Sequence, residues 1–369
     1  MKLFISKLHY KKDLNVAETI IVSALRTIGV FYNIATKLRN KMYDKKLLPA
    51  YSSKSFVVSI GNLTTGGVGK TPVTLEVAKY FLGLNKKVAI LSRGYGAKLQ
   101  NKEPNLISDG SGALYTATMA GDEPVWLGDN CKGAYVVTCA SRIKAEKFIK
   151  EKYNPDIIIL DDGFQHRKMK RDLDIVLVDS KNKFGNKLLL PAGPLREDLH
   201  NINRAHKVVV VNKGYDDKES LKYCDYLKKK FKKDTYMCKI VPDFAYNILN
   251  GEQLQKESRI MAFSAIGQPA SFYEFLKKDY KLIAVMDFED HHSYEQEDIS
   301  KIIQFAQEEN ITSIVTTEKD AVKLIDIIKD VELPIKFYAL KLKAYLDIKE
   351  VCGVWKSWLW DTDLSVIWF

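Results

Sequence analysis

Four clusters in this sequence carry side chains suited to handling phosphate and protons. The first is Thr64-Thr65-Gly66-Gly67-Val68-Gly69-Lys70-Thr71. Its glycines let backbone amides turn toward an anion, and a helix starting after them adds partial positive charge. Lys70 is placed to neutralise β/γ-phosphate oxygens and Thr71 to ligate magnesium. The run departs from GxxxxGK[ST] at its first glycine, which is Thr64, while Pro72 suits a first helical turn. A chance glycine-rich turn would leave the preceding strand and the GKT-Pro ending unexplained.

The second cluster, Asp156-Ile157-Ile158-Ile159-Leu160-Asp161-Asp162-Gly163, is an apolar strand delivering two carboxylates at its C-terminal end, where open parallel sheets bind ligands. One of these aspartates suits Mg²⁺. A turn-forming Asp-Gly pair accounts for Asp162-Gly163 but leaves Asp161 and Gln165-His166 without a reason. In the third, Gly121-Asp122-Glu123-Pro124, Asp122 reads either as a helix N-cap or as the carboxylate that takes a proton from an acceptor hydroxyl. The fourth, Asp287 to Tyr294, holds His291 and His292. Adjacent histidines point apart and make a poor zinc motif, so a histidine orienting the base is the better functional reading, with a surface turn beside it. Arg93 follows a strand, and Arg196 follows a Pro-Ala-Gly-Pro loop. Each suits bidentate phosphate contact or an ordinary ion pair.

Positioning these groups requires an α/β sheet. From Pro49 onward short apolar runs alternate with glycine-rich turns and amphipathic stretches, the signature of a parallel sheet flanked by helices. Strands are predicted at Ser55 to Ile60, Lys87 to Leu91, Ala134 to Val137, Asp156 to Leu160, Asp174 to Val178 and Lys207 to Val211. A second set follows at Arg259 to Phe263, Lys281 to Val285 and Ser313 to Thr316, with helices at Ser271 to Lys278 and Glu297 to Glu309. The predicted organisation is therefore an N-terminal amphipathic helix (1–48), a P-loop domain with a parallel sheet (49–215) and a smaller C-terminal α/β domain (216–369).

The first of these, Leu14 to Tyr43, has Val16, Ile20, Leu25, Ile28, Phe31, Ile34, Ala35 and Leu38 at helical spacing and ends in lysines and arginines. Glu18 and Arg26 interrupt it, so no uncharged apolar run long enough to span a bilayer is present. Amphipathicity alone allows either a helix lying in a membrane interface or one packed on the core. Lys7 cuts short any signal-peptide core. The net charge of +11 favours an anionic partner, and five widely spaced cysteines without a CxxC pair suit a reducing compartment. The run Lys228 to Lys233 belongs to no recognised nucleic-acid-binding module and reads as a solvated face, so no nucleic acid is expected as a partner. Trp355, Trp358, Trp360 and Trp368 read as core by default.

Taken in order, Ser59-Ile60-Gly61-Asn62 into the P-loop, Ser92-Arg93-Gly94-Tyr95-Gly96, Gly121-Asp122-Glu123-Pro124, Asp161-Asp162-Gly163-Phe164-Gln165-His166, Leu190 to Asp198, Phe263-Ser264-Ala265-Ile266-Gly267, Asp290-His291-His292 and Thr317-Glu318-Lys319-Asp320-Ala321 resemble the tetraacyldisaccharide 4'-kinase family. The resemblance implies transfer of the γ-phosphate of ATP, with Mg²⁺, to the 4'-hydroxyl of an acylated glucosamine disaccharide 1-phosphate. This step of lipid A biosynthesis yields lipid IVA at the cytoplasmic face of the inner membrane. It also implies that the N-terminal helix contacts that membrane, that Asp122 is the base and that His291, or alternatively His292, is its partner. Lys70 and Thr71 keep their loop roles. Thr71, Asp161, Asp162 and Glu197 become metal and active-site ligands, and Arg93, Arg142, Gln165 and Arg196 contact substrate or phosphate. The rival reading is a ParA/MinD-like switch ATPase, although that deviant loop carries a lysine where this chain has Thr65.

Overall fold

The computed structural model describes Ile5 and residues 8–11, 13–94, 96–267, 269–290, 292–331 and 333–353. His291 and the four C-terminal tryptophans lie outside the described residues. A long helix, α1 (Val16–Asp44), precedes β1 (Phe56–Asn62), α2 (Lys70–Gly83), β2 (Val88–Ser92), β3 (Asn105–Asp109), α3 (Ala117–Ala120), α4 (Asp122–Asn130), β4 (Ala134–Thr138), α5 (Arg142–Tyr153), β5 (Ile157–Asp161) and β6 (Leu173–Asp179). A 3-10 turn at Leu199–Arg204 leads to β7 (Lys207–Asn212), α6 (Asp217–Phe231) and β8 (Asp234–Asn247). The remainder comprises β9 (Arg259–Ser264), α7 (Pro269–Leu276), β10 (Lys281–Asp287), α8 (Gln296–Glu308), β11 (Ser313–Thr317), α9 (Glu318–Ile328), β12 (Lys336–Tyr345) and α10 (Ile348–Cys352).

Among the described residues the strands form one sheet in the order β10-β9-β11-β12-β8-β7-β6-β1-β5-β2-β4-β3. β1, β2, β5, β6 and β7 are buried along their whole length, which is why they read in the sequence as continuous Val/Ile/Leu runs. β8 serves two neighbours. Asp234 to Lys239 pair parallel with β7, and Lys239 to Asn247 pair antiparallel with β12. Pro242 is accommodated because it lies beyond the last β7 pair, opposite an irregularity in β12. Two blocks, parallel apart from β3 at the edge of the first, thus meet along the β8–β12 ladder. At the centre of the first block β1 lies between β5 and β6, so the P-loop and the Asp161-Asp162 pair leave adjacent strands at the same sheet edge.

The orientation of α1 reverses that of a helix packed on a core. Val16, Ile20, Phe31, Ile34 and Leu38 are 59–79% exposed, whereas Glu18, Val22, Gly29 and Asn40 face inward and are buried. Asn15 and Glu18 form a reciprocal capping box that starts the helix, and Lys11 pairs with Glu18 at 2.7 Å. Further along, Tyr32 donates to the Arg196 carbonyl (2.7 Å), Asn40 to Glu197 (2.7 Å), and Asp44 pairs with Arg167 (2.7 Å). The helix is therefore fixed to the body along its length by polar contacts. An 18-residue window within it has mean hydropathy 1.3, so length and composition would permit a bilayer crossing even though Glu18 and Arg26 interrupt the apolar run.

At the junction of the blocks Thr317 caps α9, and Asp320 accepts from the Ala265 amide (3.0 Å) and the Thr317 hydroxyl (2.7 Å). Glu318 is buried against β12, and that burial pushes its carboxyl up to about 7.

Candidate active site

The phosphate-binding loop runs from β1 into α2. Thr64, which replaces the first glycine of the pattern, forms an antiparallel bridge with Leu195 and is not among the positive-φ residues, so its place in the loop does not require glycine. Gly69 does require it. Its φ is 94°, and an added Cβ would lie 3.0 Å from Ile240 Cδ1 and 3.1 Å from Val211 Cγ1. A second segment is hydrogen-bonded along the loop: Thr65 N–H donates to Pro194 O (2.8 Å) and Arg196 N–H to Leu63 O (2.7 Å). Tyr10 donates its hydroxyl to Thr65 O (3.0 Å), and Lys213 its ammonium to Gly67 O (2.6 Å). Lys70 Nζ lies 3.4 Å from Asn62 Oδ1 and 3.7 Å from Asp162 Oδ1.

The two aspartates differ in their electrostatics. Asp161 ends β5, is 2% exposed and accepts from Thr74 Oγ1 at 3.2 Å. Burial pushes its carboxyl up to about 6, assisted by the negative charges of Glu123 and Asp162. Asp162 adopts φ 53°, uncommon for a non-glycine residue, which turns its carboxylate onto Arg196 (2.8 and 2.9 Å) and Lys70. Burial opposes ionisation there, yet Lys70 and Arg196 prevail and hold the group below the usual carboxylate range. Gln165 donates to Asn62 O (2.9 Å), joining this turn to β1.

Thr71 Oγ1 approaches Glu123 Oε1 at 3.5 Å, which brings the first turn of α4 against the first turn of α2. Glu123 has no signal of its own in the sequence, and its contacts with Thr71 and Lys319 bring it to the site. No group of three His, Cys, Asp or Glu side chains converges as a metal site among the described residues. The oxygen donors of Thr71, of Glu123 beside it and of Asp161, which feels the charge of Glu123, would suit a magnesium ion.

Asp122 is buried at the start of α4, where its Oδ1 accepts the Glu123 amide (2.9 Å). The second block reaches it from α9. Lys323 Nζ stands 3.6 Å from Asp122 Oδ2, 3.1 Å from Asp320 Oδ1 and 3.2 Å from the carbonyl of His292, so one ammonium joins the carboxylate to the histidine-bearing segment. Lys319, also on α9, forms an ion pair with Glu123.

Three residues that the resemblance assigns to ligands or to the base have other partners. The Arg142 guanidinium is 1% exposed and donates to the carbonyls of Cys139 (3.0 Å) and Asp161 (2.9 Å), so it braces the end of β5 instead of facing a ligand. Each carboxylate oxygen of Glu197 accepts two donors, from Asn40, Gln165 and Arg204, which leaves no lone pair directed at a metal. His292 binds Asp298 at 2.9 Å and not Asp122. Arg93 is exposed at the C-terminal end of β2, with its charge felt by Arg142 and His166. The deciding contacts of Arg142 and Glu197 depend on burial and on distant partners, Asp161 at 19 residues and Asn40 at 157. The contacts of Arg142 with Cys139, Glu197 with Arg204 and His292 with Asp298 are local.

A family profile described as tetraacyldisaccharide-1-P 4'-kinase matches residues 21–354. A tetraacyldisaccharide 4'-kinase of Halothermothrix orenii is 32% identical over 91% of this chain and 93% of its own length. The enzyme of the same name from Francisella tularensis subsp. novicida is 38% identical over 80% of this chain and 87% of its own length. Among solved structures, LpxK from Aquifex aeolicus in complex with ATP superposes with a TM-score of 0.70 at 31% identity, covering 89% of this chain and 96% of that one. MinD from Aquifex aeolicus reaches a TM-score of only 0.30 at 16% identity, too distant a likeness to support the switch-ATPase reading. The chain belongs to the tetraacyldisaccharide 4'-kinase family.

Proposed function

We propose that this kinase transfers the γ-phosphate of ATP to the 4'-hydroxyl of a tetraacylated glucosamine disaccharide 1-phosphate, working from the cytoplasmic face of the membrane. The observation that carries the reading is the contact between Thr71 of the P-loop and Glu123 of α4. It brings the phosphate-holding loop and the Asp122 carboxylate to one cleft.

In the transfer the 4'-oxygen bonds to the γ-phosphorus as the bond from that phosphorus to the β–γ bridging oxygen breaks. ADP leaves with the electron pair. The hydroxyl proton passes to Asp122, and Lys70 with the loop amides neutralises charge on the phosphate oxygens. Lys323 keeps Asp122 aligned as a positioning residue, and His291 is taken as partner of the base on the strength of the family resemblance. Thr71, with Asp161 and Glu123, would hold a magnesium ion, which would supply charge neutralisation for the phosphates. Asp162 orders Lys70 and Arg196 at the cleft. The division into a P-loop domain and a smaller C-terminal domain belongs to this proposal, with the β8–β12 ladder as the seam.

The decisive assay incubates the protein with γ-labelled ATP and the acylated disaccharide 1-phosphate in mixed micelles. Label on the 4'-oxygen is expected. ATP hydrolysis indifferent to the lipid would sink the reading.

The acyl chains call for a membrane-facing surface, and α1 supplies one. Its exposed Phe31 and Ile34 point away from the body, while polar contacts from Glu18 to Asp44 keep the helix alongside it. An interfacial orientation accounts for both facts better than a crossing one, because a crossing helix would place its buried polar face in hydrocarbon. Phe31→Asp together with Ile34→Asp is expected to cut co-sedimentation with anionic phospholipid vesicles about tenfold or more. Unaltered sedimentation of a variant that still melts like the wild type would contradict this.

A further inference from the structure

The signature Thr317-Glu318-Lys319-Asp320 has no part in the transfer as derived so far. Its geometry is that of a rigid arm. Thr317 caps α9, and Asp320 is tied to the Ala265 amide, the Thr317 hydroxyl and Lys323, so the first turn of α9 is anchored in the second block. From that anchored turn Lys319 projects across the junction onto Glu123. The oxygen it meets, Oε1, is the one that Thr71 Oγ1 approaches at 3.5 Å. The Lys319 ammonium therefore stands one carboxylate oxygen away from the threonine of the P-loop.

The pair is poised for exchange. Side-chain exposure is 31% for Lys319 and 30% for Glu123, so a bound solute can reach both. Lys323, by contrast, is 11% exposed and shared among Asp122, Asp320 and the His292 carbonyl, which fixes it in place. The cleft holds Asp122, Glu123, Asp161 and Asp162, and a triphosphate adds further negative charge. Phosphoryl transfer needs cations directed at the γ-phosphoryl oxygens, and Lys70 is the one the P-loop itself supplies.

We propose that Lys319 is a catalytic residue. Once the triphosphate is seated, its ammonium leaves Glu123 Oε1 for the γ-phosphoryl oxygens, and the vacated carboxylate oxygen is left facing Thr71. The lysine keeps its proton throughout. The bonds made and broken are those given above, with the hydroxyl proton going to Asp122 and the electron pair leaving with ADP. The second block thus supplies charge stabilisation only when the γ-phosphate is present. This rests on the lipid-kinase reading.

The test compares wild type, Lys319→Ala, Glu123→Gln and the double variant in three measurements. These are kcat for lipid phosphorylation, calorimetric Kd for Mg-ADP and for a non-hydrolysable Mg-ATP analogue, and thermal melting. Lys319→Ala is expected to lower kcat about a hundredfold or more, as removal of one transition-state donor does. Its Kd for ADP should stay within about threefold, while its preference for the ATP analogue over ADP falls about tenfold, because the lost contact is to the γ-phosphate alone. If Lys319→Ala melts below the assay temperature, the double variant judged against Glu123→Gln gives the same comparison without an unpaired carboxylate. Recovery of the wild-type rate in the double variant, or a Lys319→Ala kcat within about fivefold of wild type, would make the pair a structural clamp and overturn the proposal. Failure of the wild type to phosphorylate the disaccharide would instead remove the underlying reading.

Discussion

Asp122→Asn is expected to lower kcat by about 10²- to 10³-fold while leaving the Kd for ADP within about threefold of wild type. The side chain keeps its shape and can still accept the Glu123 amide, now at 2.9 Å, so the start of α4 should survive. What it loses is the capacity to take the hydroxyl proton, together with the negative charge that faces Lys323 at 3.6 Å. The lower half of the general-base range is the better estimate, because phosphoryl transfer passes through a loose transition state in which the attacking oxygen has formed little bond. Residual turnover would come from the P-loop, whose contacts with Asn62, Pro194 and Lys213 do not involve Asp122. Single-turnover transfer of labelled phosphate to the lipid measures the chemical step directly. A folded Asp122→Asn enzyme within fivefold of the wild-type rate, on the scale of general-base effects, would remove this residue from the role of base.

How much of this was legible in the sequence follows from how local each feature is. The P-loop and the Asp161-Asp162 strand could be read because strands buried on both faces must be continuous apolar runs, and because a backbone that wraps phosphate needs glycine where φ is positive, as at Gly69. β8 and β12 escaped notice for the opposite reason. Their apolar residues alternate with half-exposed lysines such as Lys239, Lys341 and Lys343, and Pro242 interrupts the first of them. The helical pattern of α1 was plain, but its direction was not. An apolar stripe does not say whether it faces protein or lipid, and only the inward contacts of Glu18, Tyr32 and Asn40 decide that Phe31 and Ile34 point outward. The family resemblance assigns Arg142 and Glu197 to ligand contacts. Their burial against backbone carbonyls and side-chain donors is a property of the assembled fold. Glu123 and Lys319 lie 196 residues apart, and neither signals the other until the two blocks meet.

Lys70→Ala is expected to have an effect at least as large, about 10³-fold on kcat, and of a different kind. Lys70 is 13% exposed and holds its ammonium between Asn62 Oδ1 and Asp162 Oδ1, ready to move onto phosphate oxygens with little reorganisation. Its loss removes a preorganised charge from both the bound triphosphate and the transition state, so binding of the non-hydrolysable ATP analogue should weaken along with kcat. Asp122→Asn should leave that binding unchanged. A second consequence concerns pH. Lys70 and Arg196 together hold the Asp162 carboxyl below its ordinary range against the opposing effect of burial. With Lys70 gone, Arg196 at 2.8 Å is the ion-pair partner left to that carboxylate among the described residues, and its pKa must rise. Protonation of Asp162 then begins at higher pH than in the wild type, and the acid limb of the activity profile should move upward. Lys70→Arg restores the charge but not a point-like ammonium, and should recover only part of the rate while returning the acid limb toward its wild-type position. A Lys70→Ala enzyme that keeps more than about a tenth of the wild-type kcat at saturating ATP, with an unshifted acid limb, would show that the loop holds the nucleotide without this lysine, contrary to the electrostatic role assigned to it.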